Sequence, residues 1–293
     1  MRSIAVLALA ACGGAPVART PIASLRAACG AGQYWDGRAC ARTGDAPQKL
    51  EQGKQALAAL QVDQARAALD AAEKAGPLGH DDNVTLWEQR GIAAAYVDDE
   101  AGAKRAFDML LALDPGHFLS YKLSPKATFV FEQVRAQKDR AAPELDITWQ
   151  RGGKVGDPVP LDVEVLADPM RLMRRATVFV RERGQTAWRA ADLALPDRGD
   201  ARLVLPPLTD HKPVSLELYL EAYDEHGNEV LGWATPTRPR EIPLRYDPPP
   251  PWYKTWWGIT AMIGAGVAIA AVTAYEVTLS PPDKIDGGGG LAK

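Results

Sequence analysis

Three cysteines, Cys12, Cys29 and Cys40, and four histidines, His80, His117, His211 and His226, are the residues of this chain best suited to nucleophilic or metal-ligating chemistry. Their contexts point away from both. Each histidine sits in a turn-like setting and none stands at ligand spacing from another, so no metal is expected. Cys29 and Cys40 close the short stretch CGAGQYWDGRAC. In an oxidising compartment such a pair reads as one disulfide around Tyr34, Trp35, Asp36 and Gly37; the alternative is two unpaired thiols. The carboxylate pairs Asp81-Asp82 and Asp98-Asp99 fall at helix starts, where they favour the helix dipole. There is no G-x-S-x-G and no glycine loop after a strand to cradle phosphate, so neither an enzyme nor a cofactor is expected.

The remaining cysteine has a different setting. Leu9-Ala10-Ala11-Cys12 ends a short apolar run, Ile4 to Ala11, that follows Arg2. A positive start, an apolar centre and small residues before the cleavage point are the layout of an export signal. This motif resembles the lipobox of bacterial lipoproteins, which implies removal of residues 1–11 and lipidation of Cys12. An ordinary secretory signal is the alternative, and either one exports the chain. A net charge of −3 leaves no basic surplus for nucleic acid.

At the other end, Trp256 to Tyr275 runs uncharged for about the length that crosses a bilayer as a helix. Trp252, Tyr253, Trp256 and Trp257 before it and Tyr275 at its end are placed as interfacial anchors. A transmembrane helix over 256–275 is therefore expected, with a buried core helix as the competing reading. Pro248 to Pro251 hold the approach extended in a linker over 247–255, and 276–293 is read as a flexible tail. Ala261, Gly264, Ala265 and Ala268 would let two such helices pair as a homo-oligomer. Export of the chain ahead of this span puts the globular part on the periplasmic side.

Between the anchors the chain changes character near Pro143. After a linker with a small disulfide loop, 12–45, residues 46–138 are Ala-rich with helical periodicity, and residues 144–246 alternate in short Val- and Leu-rich runs. In the helical half, Gly53, Ala65, Leu69, Ala72 and Pro77 recur 38 residues later as Gly91, Ala103, Phe107, Leu110 and Pro115. The small residues let paired helices approach, and the prolines stop the second helix of each pair. The spacing resembles the tetratricopeptide repeat (TPR), whose period of about 34 leaves four residues to be absorbed by an enlarged loop around Leu78 to Asp82. Ser124-Pro125 followed by KATFVFEQVRAQ predicts a capping helix with its apolar stripe through Phe129, Phe131 and Val134. On the register of that resemblance, Glu51, Lys54, Glu88, Gln89 and Ile92 line a partner-binding groove; a generic helical bundle, with these as solvated positions, is the alternative.

The second half predicts about seven strands in PVPLDVEVLA, ATVFVRE, AWRAADLAL, DARLVLPPL, the hairpin VSLELYLEAYDEHGNEVLGWA and REIPLRY. Leu216, Leu218, Leu220 and Ala222 alternate onto one face, and His226-Gly227-Asn228 turns the chain. Tyr219, Tyr223 and Trp233, aromatic residues on half-buried strands, read as packing. This half is similar to immunoglobulin-like and fibronectin type III sandwiches of bacterial envelope proteins, a barrel being the alternative. The expected fold class is thus a multidomain α + β chain: TPR-like helices, an all-β immunoglobulin-like sandwich and a C-terminal transmembrane helix. The expected function is a non-enzymatic, membrane-anchored envelope scaffold that binds envelope proteins or peptides. A glycan- or peptidoglycan-binding module is the rival, carried by the Tyr34-Trp35 loop.

Overall fold

The computed structural model describes residues 21–120, 123–137, 141–207, 213–248 and 250–279; the export signal, Cys12, His211 and the end of the tail lie outside the described residues. Among the described residues, those up to Tyr246 form one compact unit and those from Asp247 another.

Two helical hairpins open the helical half: α1 (Ala46–Ala58) with α2 (Val62–Ala75), and α3 (His80–Tyr96) with α4 (Glu100–Leu113). Both crossings are built the same way. A Cβ on Gly53 would meet Leu69 Cδ2 at 2.7 Å, and one on Gly91 would enter the ring of Phe107, so each hairpin packs a large side chain onto bare backbone. Leu60 and Asp98, at equivalent places in the two hairpin turns, both take φ of 60°. The four extra residues of the second hairpin go into its first helix, not into a loop. The α2–α3 connection spans only residues 76–79, and α3 begins at His80, with Asp81 and Asp82 favouring its N-terminus.

Helix α5 (Pro125–Arg135) covers the end, its Ser124 hydroxyl accepting from the Lys126 N–H at 3.3 Å. Its buried face carries Ala127, Val130, Phe131 and Val134, whereas Phe129 points to solvent. Phe131 and Val134 are buried as expected, and Val130 stands in the place expected for Phe129; Phe131 meets Phe107 edge to face at 5.4 Å.

The β half is two antiparallel sheets around one core. One holds β4 (Glu144–Trp149), β5 (Val159–Ala167) and β8 (Gly199–Leu205) in the order β4-β5-β8. In the other, β7 (Arg189–Ala194), β6 (Arg175–Glu182) and β9 (Ser215–Tyr223) lie side by side, and β10 (Glu229–Trp233) and β11 (Arg240–Pro243) share the far side of β9. Leu161 and Val163 of the first sheet meet Val178, Leu218 and Leu220 of the second in a single buried cluster. The alternation expected for Leu216, Leu218, Leu220 and Ala222 is realised, and all four are buried. Strand β4 adds to the expected set; its alternation, ELDITW, is too short to stand out in the sequence.

The segment expected to be a linker is structured from residue 21 onward. Ile22 bridges Val204 in parallel and the Ala23 N–H donates to the Val204 carbonyl at 2.7 Å, while β1 (Arg26–Ala27) pairs with β7. It therefore lies along one edge of each sheet. Next comes the hairpin of β2 (Gln33–Trp35) and β3 (Cys40–Arg42), bonded between Cys29 and Cys40 with Cα atoms 5.5 Å apart.

In the second unit a 3₁₀ turn, Trp252–Lys254, leads into α6 (Trp256–Leu279), which is long and apolar enough to cross a membrane. Its apolar side chains, among them Ile263, Val267, Ile269 and Val272, are exposed, which removes the reading of a buried core helix. Together these are a mixed α + β architecture with an apolar C-terminal helix.

Candidate functional site

The five positions expected to line a groove lie on α1 and α3. Glu51 and Lys54 pair with each other along α1 at 2.8 Å, which lowers the Glu51 carboxyl and raises the Lys54 amine through their hydrogen bond. Glu88 turns toward His117 in the α4–α5 connection, at 3.5 Å, where Asp114 holds the other ring nitrogen at 3.2 Å. Gln89 is half-buried on α3. Ile92 is only 2% exposed and sits in the helical core, so it lines no open surface. Its register follows Gly91, which the Phe107 contact turns inward.

Concavity appears instead on the other side of the hairpins. A cleft of about 440 Å³ opens between α2, α3 and α4, with Met170 of the β5–β6 loop also in its lining. Its walls are charged: Arg66 meets Asp99 at 3.3 Å, and Arg90 bridges Asp70 at 2.8 Å and Glu73 at 2.5 Å while lying 4.6 Å over the Trp87 ring. Leu69, Ala106 and Met109 form part of its apolar lining, and the exposed Arg105 stands at the rim.

A second cavity, of about 270 Å³, lies beneath the disulfide-bonded hairpin. Its floor is the outward face of the larger sheet. Strand register places Thr177 opposite Glu221, flanked on one side by Phe179 opposite Tyr219 and on the other by Arg175 opposite Tyr223. Phe179 and Tyr219 stack at 4.5 Å, Trp188 meets Tyr219 edge-on at 4.7 Å, and Tyr34 and Trp35 form the roof. Three guanidiniums brace the rings: Arg26 over Trp35 at 4.2 Å, Arg181 over Trp188 at 4.2 Å and Arg175 over Tyr223 at 5.2 Å. Arg26 is held in turn by Asp192 at 2.9 Å, which also accepts from Thr177 Oγ1 at 2.8 Å.

Burial raises the Glu221 carboxyl above its ordinary value, against the opposing hydrogen bond donated by the Tyr223 hydroxyl. Burial likewise pushes the Tyr219 and Tyr223 phenols upward. The raised carboxyl and the rings around it share one cavity. The sequence points to Tyr34 and Trp35 but gives Tyr219 and Tyr223 the look of packing. Tyr219 does pack, 6% exposed between Phe179 and Trp188, and the strand register adds that both tyrosines also line the cavity under the hairpin.

Among the described residues no group of three His, Cys, Asp or Glu side chains is arranged to hold a metal. On α6, Ala261, Gly264, Ala265 and Ala268 are exposed.

No protein-family model matches this chain, and comparison with curated proteins finds no match. The resemblance to TPR envelope lipoproteins with immunoglobulin-like or fibronectin type III domains is therefore corrected. The spacing that carried it, a glycine facing a large residue across two antiparallel helices, is what close helix packing itself demands. What stands is a pair of similar hairpins and a two-sheet β half.

Proposed function

We propose that this chain is a non-enzymatic, membrane-anchored adaptor of the cell envelope that holds partner proteins or peptides. The observation that carries this reading is the helical cleft. It is large enough for a peptide side chain cluster, its apolar lining supplies burial, and its paired charges supply orientation. The apolar helix α6 supports the anchor. The Cys29–Cys40 bond supports an oxidising surrounding, and with it a periplasmic position for the globular unit.

Photo-crosslinking in intact cells tests the reading. A crosslinking residue in place of Arg105, at the cleft rim, should give discrete protein adducts, and one in place of Arg183 on the sandwich should not. Equal labelling from both positions would remove the helical cleft as the adaptor surface. Arg105→Glu should weaken the same adducts without changing the melting temperature.

A further inference from the structure

The cavity under the hairpin plays no part in the helical cleft, and its composition differs from a packing core. The outward face of a sandwich sheet ordinarily meets water. Here it is roofed, the roof is fastened by a disulfide, and about 270 Å³ is left open between roof and floor. We propose that this cavity binds a neutral saccharide, with one pyranose ring of an oligosaccharide seated between Trp35 and the floor at Thr177 and Glu221.

The lining selects this chemistry by exclusion and by fit. An acyl chain would match only the rings and make no use of Thr177, Glu221, Arg175 and Arg26, which line the same space. A phosphate would face the Glu221 carboxylate. An alkylammonium would face the guanidiniums of Arg26 and Arg175, whose like charge repels it. A pyranose meets every requirement at once. Its hydroxyls donate to Glu221 and accept from Arg175, and its C–H face, carrying partial positive charge, lies against the negative face of an aromatic ring. Arg175 donates to the Trp35 carbonyl at 3.4 Å, and this contact links floor to roof. The braced rings lose little freedom on binding, which preserves affinity in a small site. The volume sits just below the range typical of drug-sized ligands, as a single sugar ring requires.

This inference stands apart from the adaptor reading, and its test separates the two. The full chain in detergent, disulfide intact, is titrated with cellotriose, maltotriose and triacetylchitotriose, and with inorganic phosphate as the anionic control, followed by ligand-observed saturation-transfer NMR. At least one trisaccharide should bind saturably and phosphate should not. Glu221→Gln keeps the acceptor for Tyr223 and the shape of the floor, and should weaken binding about tenfold, equivalent to about 1.4 kcal/mol. Trp35→Ala should abolish it, and Arg105→Glu should leave it unchanged. No saturable binding of any trisaccharide, phosphate binding in its place, sugar binding indifferent to Glu221→Gln, or sugar binding that survives Trp35→Ala would each overturn the proposal.

Discussion

The backbone N–H of Leu78 donates to the side-chain oxygen of Asn228 at 2.9 Å, joining the connection between the two helical hairpins to the turn between β9 and β10. The Leu78 carbonyl accepts from the Glu229 N–H at 2.9 Å, and the Asn83 amide donates to the Glu229 carbonyl at 3.0 Å. Asn228 is 1% exposed and its own amide donates to Asp224 at 2.9 Å. Val84 and Trp87 touch both hydrophobic cores beside this seam. Helices and sheets thereby belong to one compact unit, although their sequences differ in character.

Removing Asn228 should therefore act on both halves. Asn228→Ala leaves the Leu78 N–H buried without its partner, and should cost about 1–3 kcal/mol. Chemical unfolding followed separately by helical and near-ultraviolet signals should show coincident transitions in the parent and divergent ones in the variant. Coincident transitions in both would mean that the seam does not couple the halves.

The two hairpin crossings should respond unequally to the same change. At Gly53 an added methyl meets the end of a leucine, which can turn aside; at Gly91 it meets the Phe107 ring, pinned by Phe131. Gly91→Ala should cost about 1–3 kcal/mol and Gly53→Ala clearly less, since gain in helix propensity offsets part of each. Phe107→Leu should partly rescue Gly91→Ala. Thermal melts of the single and double variants decide it, and equal losses at both glycines would contradict the packing described.

Leu60 holds a left-handed conformation with φ of 60° and a largely exposed side chain. Leu60→Gly should raise stability by about 0.5–1 kcal/mol, because the strain exceeds the entropy the glycine adds to the unfolded chain. Asp98, its counterpart, pairs with Lys126 at 2.6 Å, so Asp98→Gly should gain less. A lower melting temperature for Leu60→Gly would refute this.

Glu221 gives a pH dependence of definite sign. Its carboxyl is raised above 4.5 in the folded chain, so the folded state holds this proton more tightly than the unfolded state. The corresponding stability is complete below the unfolded value and is lost as pH rises through the window between the two values. Glu221→Gln has no proton to lose. It should match the parent at about pH 4 and exceed it at about pH 7, as measured by melting temperature. A parent that gains on this variant as pH rises would reverse the sign and the cause.

What can be read from the chain alone is whatever repeats locally. The spacing of Gly53 and Leu69, reproduced by Gly91 and Phe107, announces helices that touch, and the alternation of Leu216 to Ala222 announces a strand with one buried face. Short-range periodicity carries no record of what lies opposite. A register taken from a resemblance puts Ile92 on an open surface, while Phe107 turns that face inward. The cavity depends on Tyr34 and Trp35 reaching Thr177, Glu221 and Tyr223, a juxtaposition of residues far apart in the chain. Tyrosines on a half-buried strand look the same whether they face a core or a roofed hollow.

Residues 22–27 place a constraint on the order of events. Ile22 and Arg26 find their partners at Val204 and Ala190, so the part of the unit that leaves the ribosome first is completed by strands made near its end. The five helices, Ala46 to Arg135, can form and pack while these edges are still waiting. Contacts of such long sequence separation form late and slowly. The unfilled edges of β7 and β8 are then the surfaces on which a stalled chain would meet another of its kind.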